Sequence, residues 1–206
     1  MSVARLLLVR HAPTGETRAA RFPTSPGHAP RRGCAPLDDA GLESAGALGG
    51  LLPRADRCWS SYAVRACQTA EAAGFQAEPQ AGLAECDFGA WAGRSLAEVA
   101  AADTDGLQRW FADPDHAPHG GESATALRAR AADVLARVTG LGGTTLAFTH
   151  GGFVRAAVLA ALGVPSVLAW KLDVAPLSVT ELHHHEQGGW RLVRLNSTPQ
   201  PAVVAP

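Results

Sequence analysis

The sequence predicts an α/β fold with a mainly parallel sheet, and three observations support this. Short apolar runs, of which residues 6–9 are the first, have the length and composition of strands buried on both faces. Longer segments with apolar residues at helical spacing alternate with these runs along the chain. The chain has 206 residues, 47% of them hydrophobic, which is enough for one domain with a full core.

The charge balance excludes two classes of partner. Lys and Arg together number 18 and Asp and Glu number 19, so the formal net charge is -1. Such a chain has no overall attraction to nucleic acid or to an anionic membrane surface, and any anion site must be a local cluster. We therefore predict neither a nucleic-acid nor a membrane partner, and the sequence leaves a homodimer open.

The cysteine pattern and the apolar runs predict a soluble cytoplasmic protein. Four cysteines are present without a Cys-x-x-Cys pair, a spacing that fits neither a zinc site nor a dense disulfide framework. The apolar run at the amino terminus is too short for the apolar core of a secretion signal. No segment approaches the roughly 18 apolar residues of a membrane span.

The first buried strand ends abruptly in Arg10 and His11. In open α/β sheets, ligands bind at the carboxyl ends of the strands. A guanidinium beside an imidazole at such a place indicates an anionic substrate and a nucleophile or base. The alternative is a strand followed by a solvated loop. The irregular segment 13–36 follows, and it either carries arginines that contact the substrate or is a surface loop.

A second candidate anion ligand follows the next predicted strand. A helix over about 39–52, begun by an Asp cap, precedes a short strand at 57–61. The chain then enters a helix at Val64, which places Arg65 in the first helical turn. Cations are favoured at the other end of a helix, so a ligand role explains Arg65 better than a solvated face does.

The segment 83–91 supplies candidate proton donors. After a predicted third strand at 75–78, it places Glu85 and Asp87 among aromatic residues without a clean period. A carboxyl group in such surroundings can have the raised pKa that a general acid needs. The alternative is that one of these residues caps the next helix, at about 95–102. Further helices are predicted near 106–112 and over 122–139, the last ended by Gly140.

A second strand followed by histidine repeats the pattern of the first. The apolar strand 144–149 leads into His150 and then into a helix that begins with Gly151. A strand hairpin is predicted from 178–183 and 190–195. The adjacent histidines 183–185 lie in this hairpin, and because successive strand side chains point to opposite faces they cannot share one metal. We predict a solvated turn there, and a disordered tail over 199–206.

The collected residues describe a pocket for a phosphoryl group. Two arginines, two histidines and helix amino termini would neutralise its oxygens without a carboxylate cluster of the Mg²⁺ type. One histidine must be neutral to attack phosphorus, whereas the other, protonated, can donate to the phosphoryl oxygens. A carboxylic acid would protonate the leaving alkoxide and then activate water. This scheme needs no metal and no cofactor.

Five motifs follow one another along the chain: Arg10-His11 with Thr14, Ser60-Ser61-x-x-x-Arg65-Ala66-x-Gln68-Thr69-Ala70, Leu83-x-Glu85-x-Asp87-Phe88-Gly89-x-Trp91-x-Gly93, Gly120-Gly121-Glu122-Ser123 and Thr149-His150-Gly151-Gly152. Together they resemble the histidine phosphatase superfamily of phosphoglycerate-mutase-like proteins, and within it a small phosphatase branch similar to the α-ribazole phosphatases. The resemblance implies a three-layer α/β fold with helices on both faces of a mainly parallel sheet, in one domain over 1–198. It also implies that His11 is the nucleophile, that Glu85 is the proton donor, and that Arg10, Arg65 and His150 form the phosphate pocket.

Two positions depart from the pattern of that family. Ala12 stands where glycine is usual, which reduces the freedom of the backbone. Thr17 stands where many members have a phosphate-binding asparagine, and a hydroxyl can still donate. Thr17 and Gly151 complete the predicted phosphate contacts.

The sequence therefore predicts a metal-independent phosphomonoesterase that acts on a small phosphorylated metabolite through a phosphohistidine. A phosphoglycerate mutase is an alternative, against which the short segment after the acid motif argues. A catalytically idle module that binds a phosphorylated ligand is another, although pure binding needs no proton donor.

Overall fold

The computed structural model describes residues 4–24 and 35–199, and a six-stranded mixed sheet forms its centre. The strand order is β3-β2-β4-β1-β5-β6. The four strands β1 to β4 run parallel, whereas β5 is antiparallel to β1 and β6 is antiparallel to β5. The predicted mainly parallel sheet is confirmed. The strands are β1 (Ala4–Arg10), β2 (Arg57–Ser60), β3 (Glu78–Pro79), β4 (Gly143–Thr149), β5 (Val179–His185) and β6 (Gly189–Ser197).

Helices connect the strands, and short 3₁₀ turns occur at 49–51, 81–83, 89–91 and 166–171. Polar side chains cap several helices. Asp38 accepts a hydrogen bond from the Gly41 amide at the start of α2, and Ser95 forms a capping box with Glu98 at the start of α4. The helices are α1 (Gly15–Arg18), α2 (Asp39–Gly46), α3 (Val64–Ala72), α4 (Leu96–Ala102), α5 (Thr104–Ala112), α6 (Ala124–Leu141) and α7 (Gly151–Leu162).

The alternation of side chains along β1 builds two cores, one on each face of the sheet. Leu6 and Leu8 pack with residues of α6 and α7. Leu7 and Val9 point to the opposite face and pack near α2 and α3, for example against Ala70. A strand buried on both faces explains why the run is apolar at every position. The predicted three layers, with helices on both faces of the sheet, are confirmed.

Several predicted boundaries differ from the structure. The helix predicted over 39–52 ends at Gly46, because the chain turns at Gly49 to lie so close to the Ala73 carbonyl that a Cβ would collide with it. Helix α6, predicted over 122–139, runs through Gly140 to Leu141 and is capped by Gly142, where φ is +59°. The third strand is confined to Glu78–Pro79, at the edge of the sheet.

The predicted solvated turn at the three adjacent histidines is wrong, because His183, His184 and His185 belong to β5 and are half-buried. Pairing with β1 on one side and with β6 on the other extends the strand to this point. The turn comes one residue later, at 186–188. Within 4–24 and 35–199, no group of His, Cys, Asp and Glu is arranged to hold a metal.

The pairing of β1 with β4 determines where the site lies. These central strands are parallel and in register, with Arg10 opposite Thr149. The next residue of each strand is a histidine, so His11 and His150 emerge side by side at the carboxyl edge of the sheet. Across the described ranges, no helix is long and apolar enough to cross a membrane. Arg31, Arg32 and all of the predicted tail except Pro199 lie outside the described residues.

Candidate active site

His11 is buried and its tautomer is determined by the backbone. Its Nδ1 lies 2.7 Å from the Ala12 carbonyl oxygen, which can only accept, so the proton resides on Nδ1. Its Nε2 accepts a hydrogen bond from Arg65 Nε at 3.2 Å. Burial, followed by the positive charges of Arg65 and Arg10, holds the pKa of His11 well below its ordinary value of 6.5. His11 is therefore a neutral imidazole with its Nε2 lone pair directed at the Arg65 guanidinium.

His150 is related to Arg65 in the complementary way. Arg65 Nη2 lies 3.2 Å from His150 Nδ1, and because a guanidinium can only donate, Nδ1 is the acceptor. The proton is then on Nε2, which donates to Ser61 Oγ at 2.8 Å. Burial, followed by the charge of Arg65, keeps the pKa of His150 well below 6.5. With the protein's own groups alone, His150 is neutral, whereas the sequence argument expected one protonated histidine.

Arg65 itself is 1% exposed, and its guanidinium joins the two imidazoles. It lies in the first turn of α3, as predicted, directly after the short loop that follows β2. The rings of His11 and His150 are 5.1 Å apart between centroids and meet edge to face at 64°. One buried cation with a histidine on either side is an arrangement that can hold an anion.

Glu85 is buried and is held at the amino terminus of α7. One carboxylate oxygen accepts from the Gly152 amide at 3.1 Å, and the other accepts from the Cys86 amide at 2.9 Å. A Cβ at position 152 would collide with Glu85 Oε1, so the glycine there makes room for the carboxylate. The second glycine of the Gly151-Gly152 motif is therefore needed for the position of Glu85.

Arg10 completes a positively charged group around this carboxylate. Burial lowers the pKa of Arg10, the negative charge of Glu85 opposes that shift, and the nearby Arg155 and Arg65 add to it. Its Nη1 donates to the Val174 carbonyl, and its buried Nε has no hydrogen-bond partner among the described residues. Three guanidinium groups against one carboxylate leave a net positive, largely dehydrated pocket that favours an anion.

The profile of the histidine phosphatase superfamily (branch 1) matches residues 6–198. The chain belongs to this superfamily. The bifunctional protein Rv2228c of Mycobacterium tuberculosis is 32% identical over 207 residues, which cover 92% of this chain and 53% of that protein. The chain therefore spans about half the length of the curated relatives it matches.

Solved structures of histidine phosphatases share the fold. The alpha-ribazole phosphatase from Shigella flexneri superposes with a TM-score of 0.79 and 26% identity, over 95% of this chain and 97% of that chain. The mycobacterial glucosyl-3-phosphoglycerate phosphatase Rv2419c gives a TM-score of 0.80 at 24% identity, over 95% of this chain and 99% of that chain. The second likeness concerns the fold alone. The family and the phosphoglycerate-mutase-like fold that the sequence predicted are confirmed.

The two departures from the histidine phosphatase pattern differ in their structural effect. Ala12 does not adopt a positive φ, and its methyl group packs against Leu37 and Ala45, so the backbone is unstrained. The Thr17 hydroxyl lies 3.1 Å from the Thr14 hydroxyl. None of its hydrogen bonds within the described residues reaches His11 or Arg65, so its predicted phosphate contact stays a prediction.

The second acidic candidate has a local role. Asp87 accepts from the Gly89 amide at 2.9 Å and so closes its own turn. Its carbonyl accepts from the Glu122 amide at 2.8 Å. Neither Asp87 nor Glu85 caps the helix that follows, because Ser95 does so. Of the two carboxylates, Glu85 is the one that lies against α7 beside Arg10.

The sequence argument missed Arg130, which holds the segment that carries Glu85. Its Nη1 donates to the carbonyls of Gly82 and Ala84, and its Nη2 donates to the carbonyl of Glu85 at 3.2 Å. Its remaining donors form a two-point ion pair with Glu122, at 2.9 and 2.7 Å. The glutamate of the Gly-Gly-Glu-Ser motif is therefore structural, because it pairs with the arginine that holds the Glu85 segment.

Proposed function

We propose that this histidine phosphatase is a metal-independent phosphomonoesterase that hydrolyses a small phosphorylated metabolite through a phosphohistidine on His11. The observation that carries the proposal is the position of Arg65, 3.2 Å from the unprotonated nitrogen of each histidine. A dianionic phosphoryl group that bound to Arg65 would meet a nucleophile at one end and a potential proton carrier at the other. The positive charge of Arg10 supports the same site for an anion.

In the first step, the lone pair of His11 Nε2 attacks phosphorus, and the bond from phosphorus to the ester oxygen breaks. Glu85, as the carboxylic acid, gives its proton to the leaving oxygen, so the alcohol departs neutral. Arg10 and Arg65 neutralise the phosphoryl oxygens without a metal. The negative charge of the bound phosphoryl group would raise the pKa of His150, which could then carry a proton and donate to an oxygen.

In the second step, the Glu85 carboxylate takes a proton from water, and the water oxygen attacks phosphorus. The bond between phosphorus and His11 Nε2 breaks, which restores the neutral imidazole and releases inorganic phosphate. The hydrogen bond from Nδ1 to the Ala12 carbonyl keeps the ring in one tautomer throughout. Both steps use the same groups in reversed roles, as a double displacement requires.

The test is hydrolysis of p-nitrophenyl phosphate in the presence of EDTA, with His11→Ala beside the wild-type protein. We expect turnover by the wild type and a loss of at least about 10³ in kcat for His11→Ala. His184→Ala is the matched control, because His184 lies on β5 and contacts Trp190 rather than the site, and it should retain wild-type activity.

Three outcomes would overturn or redirect the proposal. An inert wild type, or a His11→Ala variant that matches it, would contradict the assignment of His11. Stimulation of phosphoryl transfer by 2,3-bisphosphoglycerate would favour the mutase. Binding of phosphate esters without turnover would favour a binding module.

A further inference from the structure

A cavity of about 510 Å³ opens beside Glu85, away from the two histidines. Glu85 and Gly152 both line it, and the rest of the lining comes from the segment 20–23, from Cys86 and Phe88, from helices α4 to α7 and from the 3₁₀ turn 166–171. Its volume lies within the range of sites for small organic ligands. The groups that would give the leaving oxygen its proton thus border directly on space for the rest of the substrate.

Helix α7 connects the proton donor to this cavity. Gly152, Arg155, Ala156 and Leu159 all line it, and their spacing places them on one face of the helix. The backbone amide of Gly152 donates a hydrogen bond to the Glu85 carboxylate. A substrate whose ester oxygen lies at Glu85 would therefore lay its alcohol portion along α7.

A cluster of aromatic rings also lines the cavity. Trp110 and Trp170 are 4.3 Å apart between centroids, and Phe111 lies 5.0 Å from Trp170. These residues come from α5 and from the turn 166–171, so the cluster forms only in the folded chain. We call these three residues, together with Phe88, which also lines the cavity, the aromatic wall, and Leu96 is a further apolar residue of the lining.

Part of the aromatic wall is exposed to solvent. Trp110 is buried, whereas Phe111 and Trp170 are each 37% exposed and Leu96 is 45% exposed. Adjacent exposed apolar side chains of this size usually mark a place where a ligand or partner binds. Here they line the same cavity as Glu85, the proposed proton donor.

The charged groups that line the cavity are also compatible with an aromatic ring in the substrate. Glu85 is the only acidic residue that lines it within the described chain, and Arg128 and Arg155 have no carboxylate in ion-pair contact among those residues. Arg155 is fixed by a hydrogen bond from its Nε to the Leu172 carbonyl at 2.8 Å. A guanidinium beside an aromatic ring is attracted to its electron-rich face.

We propose that the leaving group of the substrate is an alcohol that carries an aromatic ring, which lies in this cavity against the aromatic wall. The inference rests on the proposed phosphomonoesterase function and narrows its substrate class. Aromatic stacking and burial of the ring would favour such esters over those of small polar alcohols.

The experiment compares three esters of primary alcohols: ethyl phosphate, 2-cyclohexylethyl phosphate and 2-phenylethyl phosphate. The leaving groups are all simple alkoxides of similar basicity, so differences in kcat/KM report binding of the side group in the transition state. We expect 2-phenylethyl phosphate to exceed ethyl phosphate by at least about tenfold. We expect it to exceed the cyclohexyl ester by about threefold, because only a planar ring can stack.

Substitution of one tryptophan tests whether the aromatic wall causes the preference for the phenyl ester. In Trp170→Ala, we expect the ratio of kcat/KM for the phenyl ester to that for ethyl phosphate to fall by about fivefold or more. Trp190→Ala is the matched control, since Trp190 lies on β6 and packs against His184. Its ratio should remain that of the wild type.

The outcomes separate this inference from the function on which it rests. If none of the esters and not even p-nitrophenyl phosphate is hydrolysed, both the phosphatase function and the inference are overturned. If ethyl phosphate reacts as well as the phenyl ester in the wild type, the function stands and the inference is wrong. Equal rates for the phenyl and cyclohexyl esters would overturn the aromatic preference.

Discussion

The junctions at His11 and His150 follow the same sequence pattern, yet the structure uses them differently. Each is a buried strand of the central pair that ends in a histidine, and each histidine contacts Arg65 through its unprotonated nitrogen. In His11 that nitrogen is Nε2, and the other nitrogen donates to a backbone carbonyl. In His150 it is Nδ1, and the other nitrogen donates to the hydroxyl of Ser61.

The hydrogen-bond partner of the protonated nitrogen, rather than the shared strand–histidine pattern, therefore determines which nitrogen of each histidine keeps its lone pair. A carbonyl cannot donate, so it holds His11 in one tautomer with a lone pair available for attack. The Ser61 hydroxyl instead accepts from Nε2 of His150, which leaves the lone pair on Nδ1, so a second proton would be added there, beside Arg65. The following experiments test or refine this distinction.

The largest expected effect separates the two histidines directly. We expect His11→Ala to lose at least about 10³ in kcat and to form no covalent phosphoenzyme. We expect His150→Ala to lose about 10² through weaker stabilisation of charge, yet still to become phosphorylated. The measurement is steady-state hydrolysis together with the intact mass of protein quenched in base, which preserves a phosphohistidine. A phosphoenzyme in His11→Ala would reverse the assignment.

The next effect concerns the glycines that follow the second junction. Gly152→Ala places a methyl group where Glu85 Oε1 lies, so the carboxylate must move, and we expect kcat/KM to fall by about 10². Gly151→Ala is the matched control, because its Cβ would lie 3.3 Å from Arg10 Nε and needs only a small adjustment. For Gly151→Ala we expect kcat/KM to fall by less than about tenfold, with one alkyl phosphate used as the substrate for both variants. Equal losses would mean that the position of Glu85 does not limit the rate.

A smaller effect is expected from the partner of His150. Ser61→Ala leaves His150 Nε2 buried without its acceptor, so the free energy of unfolding should fall by about 1–3 kcal/mol. We also expect about a tenfold loss of kcat. Denaturant unfolding and steady-state kinetics measure the two quantities. Ser44→Ala, on the exposed face of α2, is the control and should change neither. Unchanged stability in Ser61→Ala would indicate that the hydroxyl contact is not formed.

The smallest effect is a pH dependence of stability. Both histidines are neutral in the folded protein because their pKa values lie well below 6.5, whereas the unfolded chain binds protons near 6.5. The unfolded state therefore holds more protons at low pH. The free energy of unfolding should be fully present above pH 6.5 and fall below it, with a slope on the order of 1 kcal/mol per pH unit for each histidine.

Urea unfolding between pH 7.5 and 5.5 measures this slope, with His11→Gln as the comparison. Burial also lowers the pKa of His119, which contributes a slope of the same sign. The informative quantity is therefore the difference in slope between the wild type and His11→Gln. We expect the slope of the variant to be smaller by the contribution of one histidine. Identical slopes would mean that His11 binds protons equally in the folded and unfolded states, which would contradict its lowered pKa.

The residues that could be predicted from the sequence are those whose signal is local. An apolar run followed by a histidine, and an arginine in the first turn of a helix, each indicate a position at the carboxyl edge of the sheet. Pairing of β1 with β4 then brings His11 and His150 together, although nothing in either segment specifies that pairing. The phosphate contact of Thr17 was predicted from a resemblance and stays a prediction, and its hydroxyl contacts that of Thr14.

The residues that could not be predicted depend on contacts between distant segments. Arg130 acts on carbonyls that lie 45 to 48 positions earlier in the chain, and no pattern within its helix marks it out. The aromatic wall joins Trp110 to Trp170, each of which could equally have been a core residue in its own segment. The solvated turn predicted at His183 failed for the same reason, because strand pairing on both sides overrode the local signal.

The adjacency of the two central strands also has a consequence for folding kinetics. The first strand is complete at Arg10, whereas its parallel neighbour begins only at Gly143, so most of the chain must be closed into a loop before they pair. Helices can form earlier from local contacts, and they would restore the circular dichroism signal. Catalysis needs both strand ends in register. During refolding, activity would therefore return later than helical content. The rate at which activity returns would report the rate at which this long loop closes.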